Sequence, residues 1–223
     1  MAEKVAILGG TGALGYGLAL RLGSVGVPVT IGSRDEARAR AAAERAAASC
    51  PDGRFDGTRN EDAVAAAGTI VVLTVPFASQ AATLRSIAPA LREGQIVLDA
   101  TVPLAPAVGG RPTHVLGVWH GSAAQQARAL LPAHVGVVSG LHTISAADLE
   151  RLDRALDQDT LVCGDDRAQK AAVIELLSLV PGLRAIDGGK LEASRIAESL
   201  TPLLIGLNIR NRTHTGIRIT GLD

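Results

Sequence analysis

Short apolar runs alternate along this chain with longer segments whose apolar residues recur at helical spacing. The runs are KVAILGG (4–10), PVTIGS (28–33), TIVVLTVP (69–76), GQIVLDAT (94–101), GVVSGL (136–141), TLVCGD (160–165) and LRAIDGG (183–189). Helix-compatible stretches fill the intervals at 14–25, 35–49, 60–67, 79–91, 123–131, 146–156 and 167–179. Within the runs the apolar residues are continuous rather than alternating, as in strands covered on both faces. The expected architecture is therefore α/β: a doubly wound, mostly parallel sheet between helix layers, with a C-terminal helical segment and tail.

Two stretches need separate reading. Residues 63–84 carry no formal charge and are long enough to cross a bilayer. Gly68, Pro76, Ser79 and Gln80 interrupt them, however, and TIVVLTVP is β-branched, so a helix end, a buried strand and a loop are expected instead. The last helix is expected to begin near Leu191, with Pro202 either bending it or opening a second helix. From Leu200 to Ile209 that segment is apolar on nearly every side. Such a helix needs cover, from its own domain or from a second copy.

The first run leads into Gly10-Thr11-Gly12-Ala13-Leu14-Gly15, a GxGxxG that follows a strand and opens a helix. That context makes it a dinucleotide-binding, Rossmann-like signature. Gly10 is read as the tight turn, Gly12 as the approach to a pyrophosphate, and Gly15 as close helix–strand packing. The open N–H groups of the helix start suit phosphate oxygens. About twenty residues on, where NAD-preferring folds carry an acid for the ribose, stand Ser33 and Arg34. A serine can donate to a ribose 2′-phosphate and a guanidinium can grip it, and Arg38 lies one helical turn beyond. The nucleotide expected is NADP. Asp35 and Glu36 fit as capping residues of the following helix.

Acids and bases balance at 22 each, so no global field points to nucleic acid or a membrane surface. Aromatics are 2% of the chain, too few for a stacking platform. Cys50 and Cys163 form no CxxC pair, and the opening MAEKVAILGG has no signal-peptide layout, so a cytoplasmic location is expected. His114, His120, His134 and His214 have no metal-ligand spacing. Cys163 reads as a buried strand residue, Asp165 and Asp166 as a strand end and helix cap, and Arg195 with Glu198 as a surface pair.

GGTGALGYGLALRL, GSRDEAR, VVLTVPF, SGLHTISA, LVCGDD and SRIAESLTPLLI together resemble the coenzyme F420-dependent NADP reductases, nearly end to end. The specificity lies in the later motifs, since the first two occur in many NADP enzymes. The resemblance implies reversible hydride transfer between NADP and coenzyme F420, an 8-hydroxy-5-deazaflavin, with no metal and no catalytic side chain; the apolar C-terminal helix suggests self-association, with a homodimer expected. It implies that Thr11 to Leu14 hold the pyrophosphate and that Ser33, Arg34 and Arg38 hold the 2′-phosphate. Thr74, Val75, Pro76 and Phe77 would border the cofactor, with Ala81 close by and Val102 on the nicotinamide side. Gly140 would lie where nicotinamide meets deazaflavin. Leu141, His142 and Ile144 would follow on the deazaflavin side, joined by the backbone of Thr215, Gly216 and Ile217.

His142 reads there as an orienting or internally satisfied residue rather than a catalyst. Lys190 and Arg195 are candidates to attract the acidic deazaflavin tail. Small and aliphatic walls suit two flat rings stacked at roughly 3–3.5 Å. The chain divides accordingly into a dinucleotide-binding core (1–140), strands and helices extending the same sheet (141–190), and a helix and tail completing the deazaflavin site (191–223). Residues 104–126 depart from the family pattern and take no role. The loop and the Ser-Arg pair alone fit equally an NADPH reductase of a flavin, ferric chelate or imine, or a protein that senses NADP without turnover.

Overall fold

In the computed structural model, which describes residues 2–222, the chain alternates strand and helix almost throughout. It runs β1 (Val5–Leu8), α1 (Ala13–Ser24), β2 (Val29–Ser33), α2 (Glu36–Ser49), β3 (Phe55–Arg59), α3 (Asn60–Ala66), β4 (Ile70–Leu73) and α4 (Phe77–Ile87). Then come β5 (Ile96–Asp99), α5 (Ala123–Leu130), β6 (Gly136–Ser139), α6 (Ala146–Leu149), β7 (Gln158–Gly164), α7 (Arg167–Ser178), β8 (Leu183–Gly189) and α8 (Ser194–Asn211). One eight-stranded sheet results, in the order β3-β2-β1-β4-β5-β6-β7-β8, with every neighbouring pair parallel except β6 with β7.

The continuous apolar runs have the expected consequence. β1, β4, β5 and β6 are buried at every position. Alternate residues serve opposite faces: Ile7, Val72 and Leu98 pack with α1 and α7, whereas Leu8, Leu73 and Val97 pack with α3, α4 and α5. The strand order reverses between β1 and β4, which opens a crevice at their C-terminal ends.

Three elements differ from the pattern. β3 was not expected, because FDGTR is a half-exposed edge strand with no apolar run. The helix expected over 146–156 ends after one turn. Its carbonyls turn instead toward the buried guanidinium of Arg21 on α1, which donates to Asp148, Leu149, Arg151 and Arg154 at 2.6–2.9 Å. Pro202 sits inside a single continuous α8, neither ending it nor opening a second helix.

The excursion from β5 to α5 holds a 3-10 turn (Ala105–Val108) and one bridge between Leu104 and Val115. Past α8 the chain returns along β7 as a strap. Asp159 donates its N–H to the Ile217 carbonyl, and its carboxylate accepts from Ile219 N, Arg184 and Arg218. Among the described residues no helix is long and apolar enough to cross a membrane.

Candidate active site

The crevice at the strand-order reversal holds a cavity of about 790 Å³. Thr11, Gly12, Ala13 and Leu14 form one wall, Ser33, Arg34 and Arg38 an end, and Thr74, Val75 and Pro76 the wall opposite. Residues from three separate loops, 19 to 65 positions apart, thus line one cavity. α1 begins at the cavity with Gly12 as its cap, without a side-chain cap and without an acid in the first turn. Its N-terminal partial charge is therefore left for an anion. Neither Arg34 nor Arg38 has an ion pair among the described residues. Asp35 is taken up as the α2 cap, accepting from Arg38 N.

The glycines divide their work differently from the motif reading. The left-handed turn lies at Gly9 (φ +80°), which the reading passed over, and not at Gly10. Gly10 is needed because a Cβ there would stand 2.9 Å from Ile7 O and 3.0 Å from Ile31 Cγ2. At Gly15 a Cβ would meet Thr74 Oγ1 at 2.4 Å and Gly10 Cα at 2.8 Å, the close packing expected of it. That hydroxyl is fixed by donating to Leu8 O at 2.9 Å. Gly12 is open toward the cavity, its nearest neighbour being Gly9 O at 3.3 Å from an added Cβ.

A second cavity, about 440 Å³, adjoins the first at Ala13, which lines both. His142, Ile144, Thr201, Leu204, Ile205 and Thr215 contribute to it. The chain reaches it through Leu141, a non-glycine residue held at φ +69° with its N–H bonded to the buried Thr160 hydroxyl at 2.7 Å. A bulky residue in the left-handed region is strained, and such strain clusters at sites where geometry is imposed. His142 is buried, and burial pushes its imidazole down to about 4. Neither ring nitrogen has a partner among the described residues. Of the two readings, orienting or internally satisfied, the second does not hold among the described residues: two polar atoms are left unpaired at a cavity wall. Thr215 is pinned at this cavity by N–H and hydroxyl bonds to Asn208 Oδ1, at 2.8 and 2.7 Å.

Other expected residues stand behind these walls. Gly140 and Leu141 are buried and line neither cavity. Phe77, Ala81 and Val102 are half-buried nearby, while from α4 it is Ser79 and Thr83 that reach the larger cavity. Gly216 and Ile217 line a neighbouring hollow of about 260 Å³ with Asp148 and Arg154. Lys190 and Arg195 border other cavities and do not converge. Among the described residues no cluster of His, Cys, Asp and Glu is arranged for a metal. Cys163 is buried, and desolvation raises its thiol pKa. Asp166 caps α7.

The sequence reading also missed a buried polar network beneath the site. Gln80 donates to Asp99 at 2.6 Å, Thr101 at 2.8 Å and the Ala123 carbonyl at 2.9 Å, and accepts from Gln126 at 2.8 Å. Glu198 does not pair with Arg195 on the surface as expected. It is buried and accepts from Ala123 and Ala124 N–H at 2.9 and 3.1 Å, which ties α8 to the start of α5. Burial pushes Asp99 up to about 6 and Glu198 up to about 7.

The sheet, its crevice and the uncapped α1 terminus define a doubly wound protein of the dinucleotide-binding class. A family model described as NADP oxidoreductase coenzyme F420-dependent matches residues 4–103. The F420-dependent NADP reductase of Methanothermobacter thermautotrophicus is 43% identical, over all of this chain and 97% of that one. The enzyme of the same name from Methanocaldococcus jannaschii is also 43% identical, over 99% of each. The crystal structure of a candidate F420-dependent NADP-reductase from Arthrobacter sp. FB24 superimposes with a TM-score of 0.79 at 30% identity, over 98% of this chain and 100% of that one. The chain belongs to the F420-dependent NADP reductase family. A 3-hydroxyisobutyrate dehydrogenase from Mycobacterium tuberculosis shares the fold alone, at 17% identity and a TM-score of 0.66 over 95% of this chain and 62% of that one.

Proposed function

We propose that this protein is an NADP-dependent oxidoreductase carrying hydride reversibly between coenzyme F420 and NADP. The carrying observation is the pair of cavities that adjoin at Ala13, in a chain matching F420-dependent NADP reductases from end to end. The larger cavity takes NADP. Its size is within the usual range for a ligand site, and its two unpaired guanidiniums and open helix terminus match a phosphate-rich dinucleotide. Thr11, Gly12, Ala13 and Leu14 hold the pyrophosphate, with Gly10 and Gly15 shaping the loop, and Ser33, Arg34 and Arg38 hold the 2′-phosphate. Thr74 to Phe77, Ala81 and Val102 support the nicotinamide end.

The smaller cavity takes the deazaflavin. Its wall of Ile144, Leu204 and Ile205 is apolar, and unpartnered His142 and tethered Thr215 offer it polar contacts. Gly140 and Leu141 act from behind by setting the strained turn, and Gly216 and Ile217 hold the strap. The two ring systems supply the hydride chemistry. The protein's part is to align them and keep water out, which needs no proton-transferring side chain. The division into a 1–140 core, a 141–190 extension and a 191–223 completing segment follows from these roles.

The working state is a cytoplasmic homodimer. α8 exposes Ile196 (65%) and Leu203 (55%) together with Ile209, an apolar face that a second copy would cover. The free, buried thiols Cys50 and Cys163 suit a reducing compartment.

The test is C4-deuterated NADPH mixed with oxidised F420. Label on the deazaflavin ring and none in water is the expected result. Brisk reduction of a flavin or imine with no deazaflavin turnover would replace this reading.

A further inference from the structure

Beneath Ser33 and Arg34 the larger cavity has a polar side chain that the roles above leave unused. Asn60 is 3% exposed and lines the cavity. Its carboxamide makes no hydrogen bond to any described residue, and Oδ1 is sealed from solvent. A buried amide without a partner is costly and uncommon, so it calls for a reason.

Local structure does not supply one. Asparagine at a helix start normally caps it from the position before the first turn. Here that position belongs to Arg59, at φ −65° and ψ 155°, and no side-chain cap forms. Asn60 is instead the first residue of α3, and its side chain is free of capping duty. Its Oδ1 lies against β2, where a Cβ on Gly32 would stand 3.0 Å from it and 2.6 Å from Leu8 Cδ2. The β2–β3 register sets Ser33 beside Arg59. Asn60 therefore follows the register partner of Ser33 directly and lines the same cavity as Ser33 and Arg34.

The chemistry of the group narrows its ligand. With Oδ1 sealed from solvent, what the carboxamide can offer the cavity is its two uncharged Nδ2 donors. They match a neutral polar edge rather than a phosphate, for which Arg34 and Arg38 are already placed. We propose that Asn60 recognises the neutral ribose–purine portion of the dinucleotide, giving the site affinity for adenosine that is independent of the 2′-phosphate. This inference rests on the reading of the larger cavity as the NADP site.

Isothermal titration of Asn60→Ala with NADP⁺, NAD⁺, 2′,5′-ADP and nicotinamide mononucleotide tests it. Kd should rise about tenfold for the three adenosine ligands alike, the size of a lost hydrogen bond. Kd for nicotinamide mononucleotide should not move, and the thermal midpoint of the ligand-free protein should reflect no lost internal bond. Unchanged affinities overturn the proposal. A loss confined to NADP⁺ and 2′,5′-ADP overturns it in favour of a 2′-phosphate contact. Equal loss for nicotinamide mononucleotide, with a lowered midpoint, overturns it in favour of a structural role. Wild-type protein that binds no 2′,5′-ADP overturns it together with the cavity reading. Failure to turn over deazaflavin touches the hydride reading alone.

Discussion

At the scale of single residues, the proposed nucleotide preference rests on charge and its absence. Arg34 and Arg38 face the same cavity end, with no acid of the site opposing them except Asp35, which α2 engages as its cap. Arg34→Glu exchanges a charge-assisted contact for repulsion and should weaken NADP⁺ binding by about two orders of magnitude. NAD⁺ affinity should change little, as fluorescence titration with both nucleotides would show. Equal loss for both would mean that Arg34 supports the loop instead of reading the phosphate. This part of the site was legible because a short motif after a strand fixes its own geometry. Asn60 was not legible, since its place at the cavity depends on β3, whose FDGTR sequence gives no apolar signal. His142 misled for a related reason. A histidine at a strand end is usually satisfied by its surroundings, and only the packed structure shows both nitrogens without partners.

At the scale of elements, burial on both faces made the central strands readable, while polar edges and long-range tethers hid the rest. Nothing local in 146–156 announces that Arg21, more than 120 residues earlier, will claim its carbonyls and end α6 after one turn. The C-terminal strap is another such tether. Asp159, fully buried, holds it through Ile219 N at 2.6 Å, Arg218 at 3.2 Å and Arg184, which also bonds the Ile219 carbonyl. Hydrogen bonding from Arg184 keeps this carboxyl below its ordinary range. Asp159→Asn keeps the shape but removes the charge that gathers both guanidiniums, so the strap should loosen where Thr215 meets the smaller cavity. The KM for F420 is expected to rise about tenfold, the size of one or two lost bonds. Kd for NADP⁺, whose proposed cavity lies on the other side of Ala13, should stay as it was. Parallel losses for both substrates would show that Asp159 stabilises the whole fold and does not position the strap.

At the scale of the whole molecule, three buried titratable groups oppose one another. Burial raises Asp99 to about 6 and Glu198 to about 7, and lowers His142 to about 4. Stability from a raised carboxyl is complete below its unfolded value, about pH 4, and is lost as pH climbs through the folded value. Stability from a depressed histidine is complete above about pH 6.5 and is lost as pH falls through its folded value. Between pH 5 and 8 the two carboxyls together should cost about 4 kcal/mol, while His142 returns about 2 kcal/mol. Wild-type stability should therefore decline by only about 2 kcal/mol over that range. The shallow curve conceals two steep ones, and single variants separate them. Glu198→Gln leaves Asp99 facing a neutral side chain and should abolish the decline, since the Glu198 share, about 2.5 kcal/mol, exceeds the net loss. Any bond lost to Ala123 or Ala124 N–H appears as an offset rather than a slope. His142→Gln should steepen the decline toward about 4 kcal/mol, because only the carboxyl limb remains. Urea unfolding at pH 5, 6.5 and 8 measures all three proteins. A Glu198→Gln curve parallel to wild type would show that Glu198 stays ionised throughout, its charge held by the two N–H groups at the start of α5 despite burial.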